Sequence, residues 1–379
     1  MKNKENIKIK RFFECLLPIT FCNLKCGYCY VIQRNYRNMK PAKLLYSPEH
    51  IGKCLTKDRL GGSCYFSICG AGETMAQKEI IDIINVLLKN GHIVNITTNG
   101  TLTKQFEKLK KINKELLKHL HFSFSFHYNE LIRLNMIEVF FNNVKYVKKM
   151  GCSYMVQLNL CDEYLDSIDD IKNICKEKIG AYPQIAATRK EDSNLKNIEL
   201  LTKLSKEDYN KVGEGFNSKL FNYTMKNFNI KRKEFCYAGE RSGVLNLATG
   251  ELRKCYGDPN KQNIFKNPDK KIKFEAVGNN CYSKYCLNSS HFMSLGVIDG
   301  IDEKETYISL RDRDQAEWFN EEVKKALDIK LKTTNDQYSR LKKAGVNFKE
   351  FFKKLYIFIK KIIKKILRIR KKSCQEPKN

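Results

Sequence analysis

Two rhythms of hydrophobic and polar residues alternate along the first half of the chain. In residues 92–98, Val94, Ile96 and Thr98 alternate with Asn95, Thr97 and, just beyond, Asn99, as a strand requires. Residues 75–90 instead gather Ile80, Ile81, Ile84, Val86, Leu87 and Leu88 on one side of a helical repeat, closed by Asn90-Gly91. The pairing recurs. Strands are predicted over 11–19, 63–69, 92–98, 119–126, 153–160 and 182–188, and helices over 75–90, 103–117, 129–149 and 166–178. Another helix opens at Ser47-Pro48-Glu49, with Ser47 as N-cap and Pro48 in the first turn. Strand–helix alternation at this spacing argues for parallel βαβ units. Six units are too few for a closed eight-stranded barrel. The expected fold is α/β, a partial (β/α)6 TIM-like barrel with ligands at the C-terminal ends of its strands.

The strands carry a second pattern. In His121-Phe122-Ser123-Phe124-Ser125-Phe126-His127 every polar residue falls on one face. Val156, Leu158 and Leu160 likewise alternate with Gln157, Asn159 and Cys161. In a sheet coated by helices, the apolar set faces the helices and the polar set faces the lumen. A purely structural barrel packs branched apolar side chains inside. A polar lumen fits a cavity for a polar ligand, or a polar core that satisfies itself.

Beyond residue 190 the alternation lapses. Residues 190–235 are polar and helical in places. Residues 236–300 bring Cys236, Cys255, Cys281 and Cys286, with a hairpin signal between the first two: residues 244–247, then Ala248-Thr249-Gly250, then 251–253. Further on, Phe348, Phe351, Phe352, Leu355, Phe358, Ile359, Ile362, Ile363 and Ile366 recur at helical steps, while residues 349–372 hold eleven basic side chains and one acidic. This predicts an amphipathic helix lying in an anionic membrane interface, or docked on the protein's own core. The expected organisation is a core over 8–225, a small Cys-rich auxiliary domain over 232–300, a helical region over 305–345, a basic amphipathic helix over 346–372 and a frayed end over 373–379.

Composition narrows the picture. The 379 residues are 42% hydrophobic and 11% aromatic, which excludes a disordered chain. A net charge of +28 suits an anionic partner, nucleic acid or membrane, or reflects a Lys- and Asn-rich composition. The opening Met-Lys-Asn-Lys-Glu-Asn lacks an apolar signal region. The expected location is therefore the reducing cytoplasm, on the inner face of the membrane if the last helix docks there. Fifteen cysteines in that compartment point to metal or catalysis. No uninterrupted apolar run would span a bilayer.

The chemistry concentrates in residues 20–30. Cys22, Cys26 and Cys29 stand C-x3-C-x2-C directly after the first strand, at a C-terminal sheet end. Three thiolates on one loop can hold three corners of a cubane iron–sulfur cluster and leave the fourth iron open. Structural zinc prefers four closed ligands, and a partial zinc site is the bland alternative. With Tyr28 just before the last cysteine, this motif and the strand order over residues 11–190 resemble the radical S-adenosylmethionine (radical SAM) superfamily. The resemblance implies a [4Fe–4S] cluster on Cys22, Cys26 and Cys29, with SAM chelating the open iron. It also implies reductive cleavage of SAM to a 5′-deoxyadenosyl radical that abstracts a substrate hydrogen. Gly70-Ala71-Gly72-Glu73-Thr74 stands where the family carries Gly-Gly-Glu-Pro, departing at Ala71 and Thr74; Gly72 and Glu73 would meet the SAM amino group. Asn99, Ser125 and Asn159 match places where relatives contact SAM, or else serve the local backbone.

Cys236-x13-Gly250-x4-Cys255 resembles the opening of the SPASM auxiliary-cluster domain, shortened to its twitch relative because only Cys281-x4-Cys286 follows. The resemblance implies one auxiliary [4Fe–4S] cluster closed by four thiolates; the same four could hold zinc. His127, followed by Glu130, is the candidate catalytic residue, relaying a proton, with packing or capping as its bland role. Cys69, Cys161 and Arg189 could touch substrate, or be buried thiols and a surface arginine. Cys15, Cys54, Cys64, Cys152, Cys175 and Cys374 show no partner spacing. The expected function is a radical SAM enzyme acting on a peptide or a cell-envelope lipid or glycan precursor, served by an electron donor such as a flavodoxin or ferredoxin. A radical SAM enzyme that modifies RNA is the second reading, and a zinc-stapled nucleic-acid-binding protein the third.

Overall fold

The computed structural model describes residues 7–373 except 38–39, 41–42, 191–197, 287–288, 302–303 and 314. Cys374 and the tail expected to fray lie outside the described residues, apart from Ser373, which ends the last helix.

All six expected strands form: β1 Ile9–Leu17, β2 Ser63–Gly70, β3 Ile93–Thr98, β4 Leu120–Ser125, β5 Ser153–Leu160 and β6 Gln184–Ala187. They pair in parallel and in chain order. Just after β6, β7 (Arg189–Lys190) and β8 (Glu199–Leu200) make a separate antiparallel pair. The hairpin of the second cysteine region forms as β9 Ser242–Asn246 and β10 Glu251–Arg253, and it extends the main sheet. β9 pairs in parallel with β1, and β10 and β11 (Gln262–Asn263) follow antiparallel. Nine strands thus run β11-β10-β9-β1-β2-β3-β4-β5-β6, and the barrel stays open.

The period of two sorts the faces as expected. Val94, Ile96, Phe122, Phe124, Val156 and Leu158 are fully buried. Asn95 and Ser123 turn the other way. Asn95 Nδ2 donates to Ser67 Oγ at 3.1 Å, and Ser123 Oγ donates to Asn95 Oδ1 at 2.9 Å. Part of the polar face therefore satisfies itself. Glu14 on β1 and Ile185 on β6 nevertheless line one chamber, so the sheet wraps around a lumen.

Three expected helices are interrupted. The first opens with a tight turn at Thr74–Ala76 before Ile80–Lys89. The second splits into Thr103–Glu107, a turn at Lys108–Lys111, and Lys114–Leu117, where the Asn113 side chain accepts the Glu115 N–H and starts a new helix. The third splits at Asn135, whose φ of +53° separates Tyr128–Arg133 from Ile137–Lys149. Asn tolerates that left-handed conformation. Apolar spacing continues across such breaks, so periodicity alone reads through them.

Later segments close the lumen. Helix Lys219–Lys226 covers β6, where Ile185 N–H donates to Ser218 Oγ at 3.0 Å. Residues 307–313 and 315–320 pass beneath the N-terminal strand ends: Gln184 Nε2 donates to Arg311 O at 3.0 Å, Tyr154 N–H to Trp318 O at 2.8 Å, and His121 stacks on Phe319 at 4.4 Å. The last helix runs Arg340–Ser373 as one element. Its start is clamped through Glu350, 1% exposed, which accepts from Lys254 at 2.7 Å, Lys353 at 2.5 Å and Tyr282 Oη at 3.0 Å. Beyond that clamp Phe351, Tyr356, Phe358 and Ile363 are exposed. No described helix is long and apolar enough to cross a membrane.

Candidate functional site

The loop after β1 lies where the C-terminal strand ends open. Cys22, Cys26 and Cys29 all line one chamber of about 280 Å3 there. A turn sets the last two: Cys29 N–H donates to Cys26 O at 3.1 Å, and Cys29 then caps the short helix Tyr30–Gln33. Burial pushes the Cys22 thiol up to about 11 and also raises Cys26. Metal binding takes thiolates and would work against that shift.

The loop is held from two sides. Residues 70–74 press on it from below: Gly72 N–H donates to Ile19 O at 2.6 Å and Glu73 N–H to Phe21 O at 2.7 Å. A Cβ on Gly72 would stand 2.0 Å from Phe21 O, so the glycine is required by a contact within the chain. Glu73 is buried and points to the end of β3. Its Oε1 accepts from Met75 N at 2.8 Å and Thr98 Oγ1 at 2.6 Å, and Oε2 accepts the Asn99 N–H at 2.7 Å. Burial raises its pKa, with those three donors opposing. Asn99 in turn reaches the cysteine loop, donating through Nδ2 to Asn23 Oδ1 at 2.9 Å and to Cys22 Sγ at 3.7 Å. Asn23 Nδ2 donates to Thr101 Oγ1 at 2.8 Å.

The other candidates meet in the same chamber. Ser125, Asn159 and His127 line it together with Tyr28 and the Gly72-Glu73 step. The Tyr28 hydroxyl stands 2.6 Å from His127 Nδ1 and 2.9 Å from the Tyr164 hydroxyl. Burial holds His127 at about 4, with Glu130 opposing weakly, so its ring is neutral near pH 7. The neutral ring carries one N–H, so its tautomer sets whether Nδ1 accepts from the Tyr28 hydroxyl or donates to it. Arg189 and Cys69 line this chamber too, whereas Cys161 is buried behind it.

Residues 16–173 match the family model of the radical SAM superfamily. Over those residues the chain carries a radical SAM domain. No curated protein matches it. Among solved structures it is similar to Streptococcus suis SuiB bound to S-adenosylmethionine, at 18% identity and a TM-score of 0.48, covering 68% of this chain and 64% of that one. Native anSMEcpe with bound AdoMet and Cp18Cys peptide is similar at 16% identity and a TM-score of 0.43, covering 93% of this chain and 99% of that one.

A radical SAM domain implies a [4Fe–4S] cluster and SAM. The donor set fits: three thiols share one wall of a chamber, and Asn99 braces the first. Among the described residues no three His, Cys, Asp or Glu side chains converge tightly enough to grip a single ion. A cubane asks less of them, because each thiolate binds a different iron.

Outside the radical SAM domain, the four later cysteines approach one another. Cys236 is placed by backbone bonds to Gly278, Cys255 follows β10, and Cys281 and Cys286 share the next loop. Burial first, then the neighbouring Cys286, Cys255 and Cys281, raises the Cys236 thiol. Lys354 of the last helix donates to Cys281 O at 2.7 Å. Sequence reasoning missed Tyr164 and Asn23, which complete the Tyr28 and Asn99 contacts. Asn23 lies inside the cysteine motif and could have been weighed; Tyr164 lies 136 residues from Tyr28 and carries no spacing signal.

Proposed function

We propose that this chain is a radical SAM enzyme that holds a [4Fe–4S] cluster on Cys22, Cys26 and Cys29 and takes its substrate into the polar lumen beneath them. The observation that carries this reading is the arrival of all three cysteines at the mouth of that lumen, in one chamber with Gly72, Asn99, Ser125 and Asn159. With SAM bound, the cluster supplies a 5′-deoxyadenosyl radical for hydrogen abstraction. The chain's part is to position. Glu73 fixes the end of β3, Asn99 braces the cysteine loop, and Ser125 and Asn159 offer polar groups to SAM from β4 and the end of β5. His127, neutral and buried, is the proposed proton relay.

Cys236, Cys255, Cys281 and Cys286 are proposed to close an auxiliary [4Fe–4S] cluster, supported by their mutual approach. The exposed apolar face of the last helix, with its dense lysines, supports docking on an anionic membrane surface. A cell-envelope lipid or glycan precursor, or a peptide, then fits as substrate, with a flavodoxin or ferredoxin as electron donor. The test is anaerobic purification followed by SAM and a strong reductant. Two clusters hold about eight irons per chain, and 5′-deoxyadenosine should form. Cys26→Ala should abolish 5′-deoxyadenosine, while Cys255→Ala should lose about half of the iron and keep it. A colourless zinc protein that leaves SAM intact would refute the reading.

A further inference from the structure

Below the cysteine chamber lies a second one of about 340 Å3. The two share Cys69, Thr97, Ser125 and Asn159, so they form one passage. Arg311 enters its lower end from helix Tyr307–Arg311, which belongs to the segment passing beneath the sheet. It is 2% exposed. Its guanidinium lies over the Tyr307 ring at 3.9 Å and, among the described residues, donates one hydrogen bond, to Tyr307 O at 3.3 Å. Among the described residues no carboxylate stands within ion-pair distance of it. Removing a cation from water costs several kcal/mol unless a counter-charge and hydrogen bonds replace the water.

The two nearest imidazoles do not supply that counter-charge. His121 and His291 flank the guanidinium. Burial, and after it the Arg311 charge, pushes His121 to about 3 and His291 well below its usual value. Neither His121 nitrogen has a hydrogen-bond partner among the described residues. Glu14 and Arg189 also line the chamber. Arg311 itself brings one positive charge. A phosphate monoester would bring about two negative charges; a carboxylate brings one, and its two oxygens match the planar fork of a guanidinium.

We propose that the floor of the lumen receives a carboxylate of the substrate, paired with Arg311. The pairing sets how deep the substrate sits beneath the cysteine loop. The inference rests on the radical SAM reading, which makes the lumen the substrate's place.

The test uses the full chain with three probes: glutarate, its neutral diamide, and methyl phosphate. Binding is read from the thermal midpoint and from the side-chain NMR signals of 15N-labelled arginine. Glutarate should raise the midpoint and shift one arginine signal, and the diamide should do neither. Methyl phosphate should act more weakly than glutarate. Arg311→Gln should remove the glutarate response, and Arg311→Lys should keep part of the midpoint rise while losing the shifted signal. Glutarate acting no better than the diamide overturns the proposal, as does an equal response in Arg311→Gln or a stronger response to methyl phosphate. Should Arg311→Gln not fold, the arginine signal of the unaltered chain, assigned through Arg311→Lys, decides the matter. 5′-Deoxyadenosine formation is measured separately on the same samples. Its absence in the unaltered chain counts against the radical SAM reading and leaves the Arg311 result standing.

Discussion

The Glu73 carboxylate accepts the Asn99 backbone N–H at 2.7 Å and so ties the loop after β2 to the end of β3. Its other oxygen takes Met75 N–H and the Thr98 hydroxyl. All three partners donate. A glutamine here turns an amide NH2 toward at least one of them, leaving donor against donor in a buried site. Glu73→Gln should therefore destabilise the chain by about 1–3 kcal/mol in chemical denaturation. It should also weaken SAM binding by calorimetry, because Asn99 loses its brace. A variant as stable as the parent would show that the carboxylate is dispensable for the fold.

The Tyr28 hydroxyl bridges His127 and Tyr164. Tyr28→Phe keeps the ring and leaves His127 Nδ1 buried without its hydrogen-bond partner. A loss of about 1–3 kcal/mol is expected. The double variant with His127→Phe should lose less than the sum of the two singles, since one contact joins them. Additive losses would mean that the bridge contributes nothing of its own.

Acid should destabilise the chain before its carboxylates titrate. Burial holds His92 at about 4, and burial with the Arg311 charge holds His121 at about 3, against an ordinary value of 6.5. These folded values lie below the unfolded one, so the unfolded chain binds protons first as pH falls. The histidines leave stability untouched above about pH 6.5, and stability declines from there down toward pH 4. Urea midpoints at pH 7, 6 and 5 should fall in that order, and His92→Gln should flatten the slope. A flat profile would contradict neutral burial of both rings.

Membrane docking is best tested with a cut that respects the clamp at Glu350. Removing residues 345–379 would also remove a buried ion pair with Lys254 and the bond to Tyr282. A chain ending at Leu355 keeps them and loses the exposed Phe358, Ile359, Ile362 and Ile363 with the basic residues among them. It should pellet with anionic vesicles far less than the full chain does, and neither should pellet with neutral ones. Equal pelleting with anionic vesicles would place the contact elsewhere.

The alternation of polar and apolar residues, and the spacing of Cys22, Cys26 and Cys29, were enough to foresee six parallel strands and a cysteine loop at their C-terminal ends. Both are short-range properties: a strand reverses its side chains at every residue, and a loop of eight residues cannot scatter its thiols. The same logic sorted Asn95 and Ser123 to the inside and Val94 and Phe122 to the helices. It failed where a local break leaves the period unchanged, as at Asn135. It was silent where distant segments meet. Nothing in residues 242–246 announces that they pair with β1, more than two hundred residues earlier. Arg311 sits on a five-residue helix without a motif and becomes part of the lumen only because the chain returns beneath the sheet. Periodicity reports which way a side chain faces along its own element; which other element it meets depends on the path of the whole chain, and that was decided only in the tertiary structure.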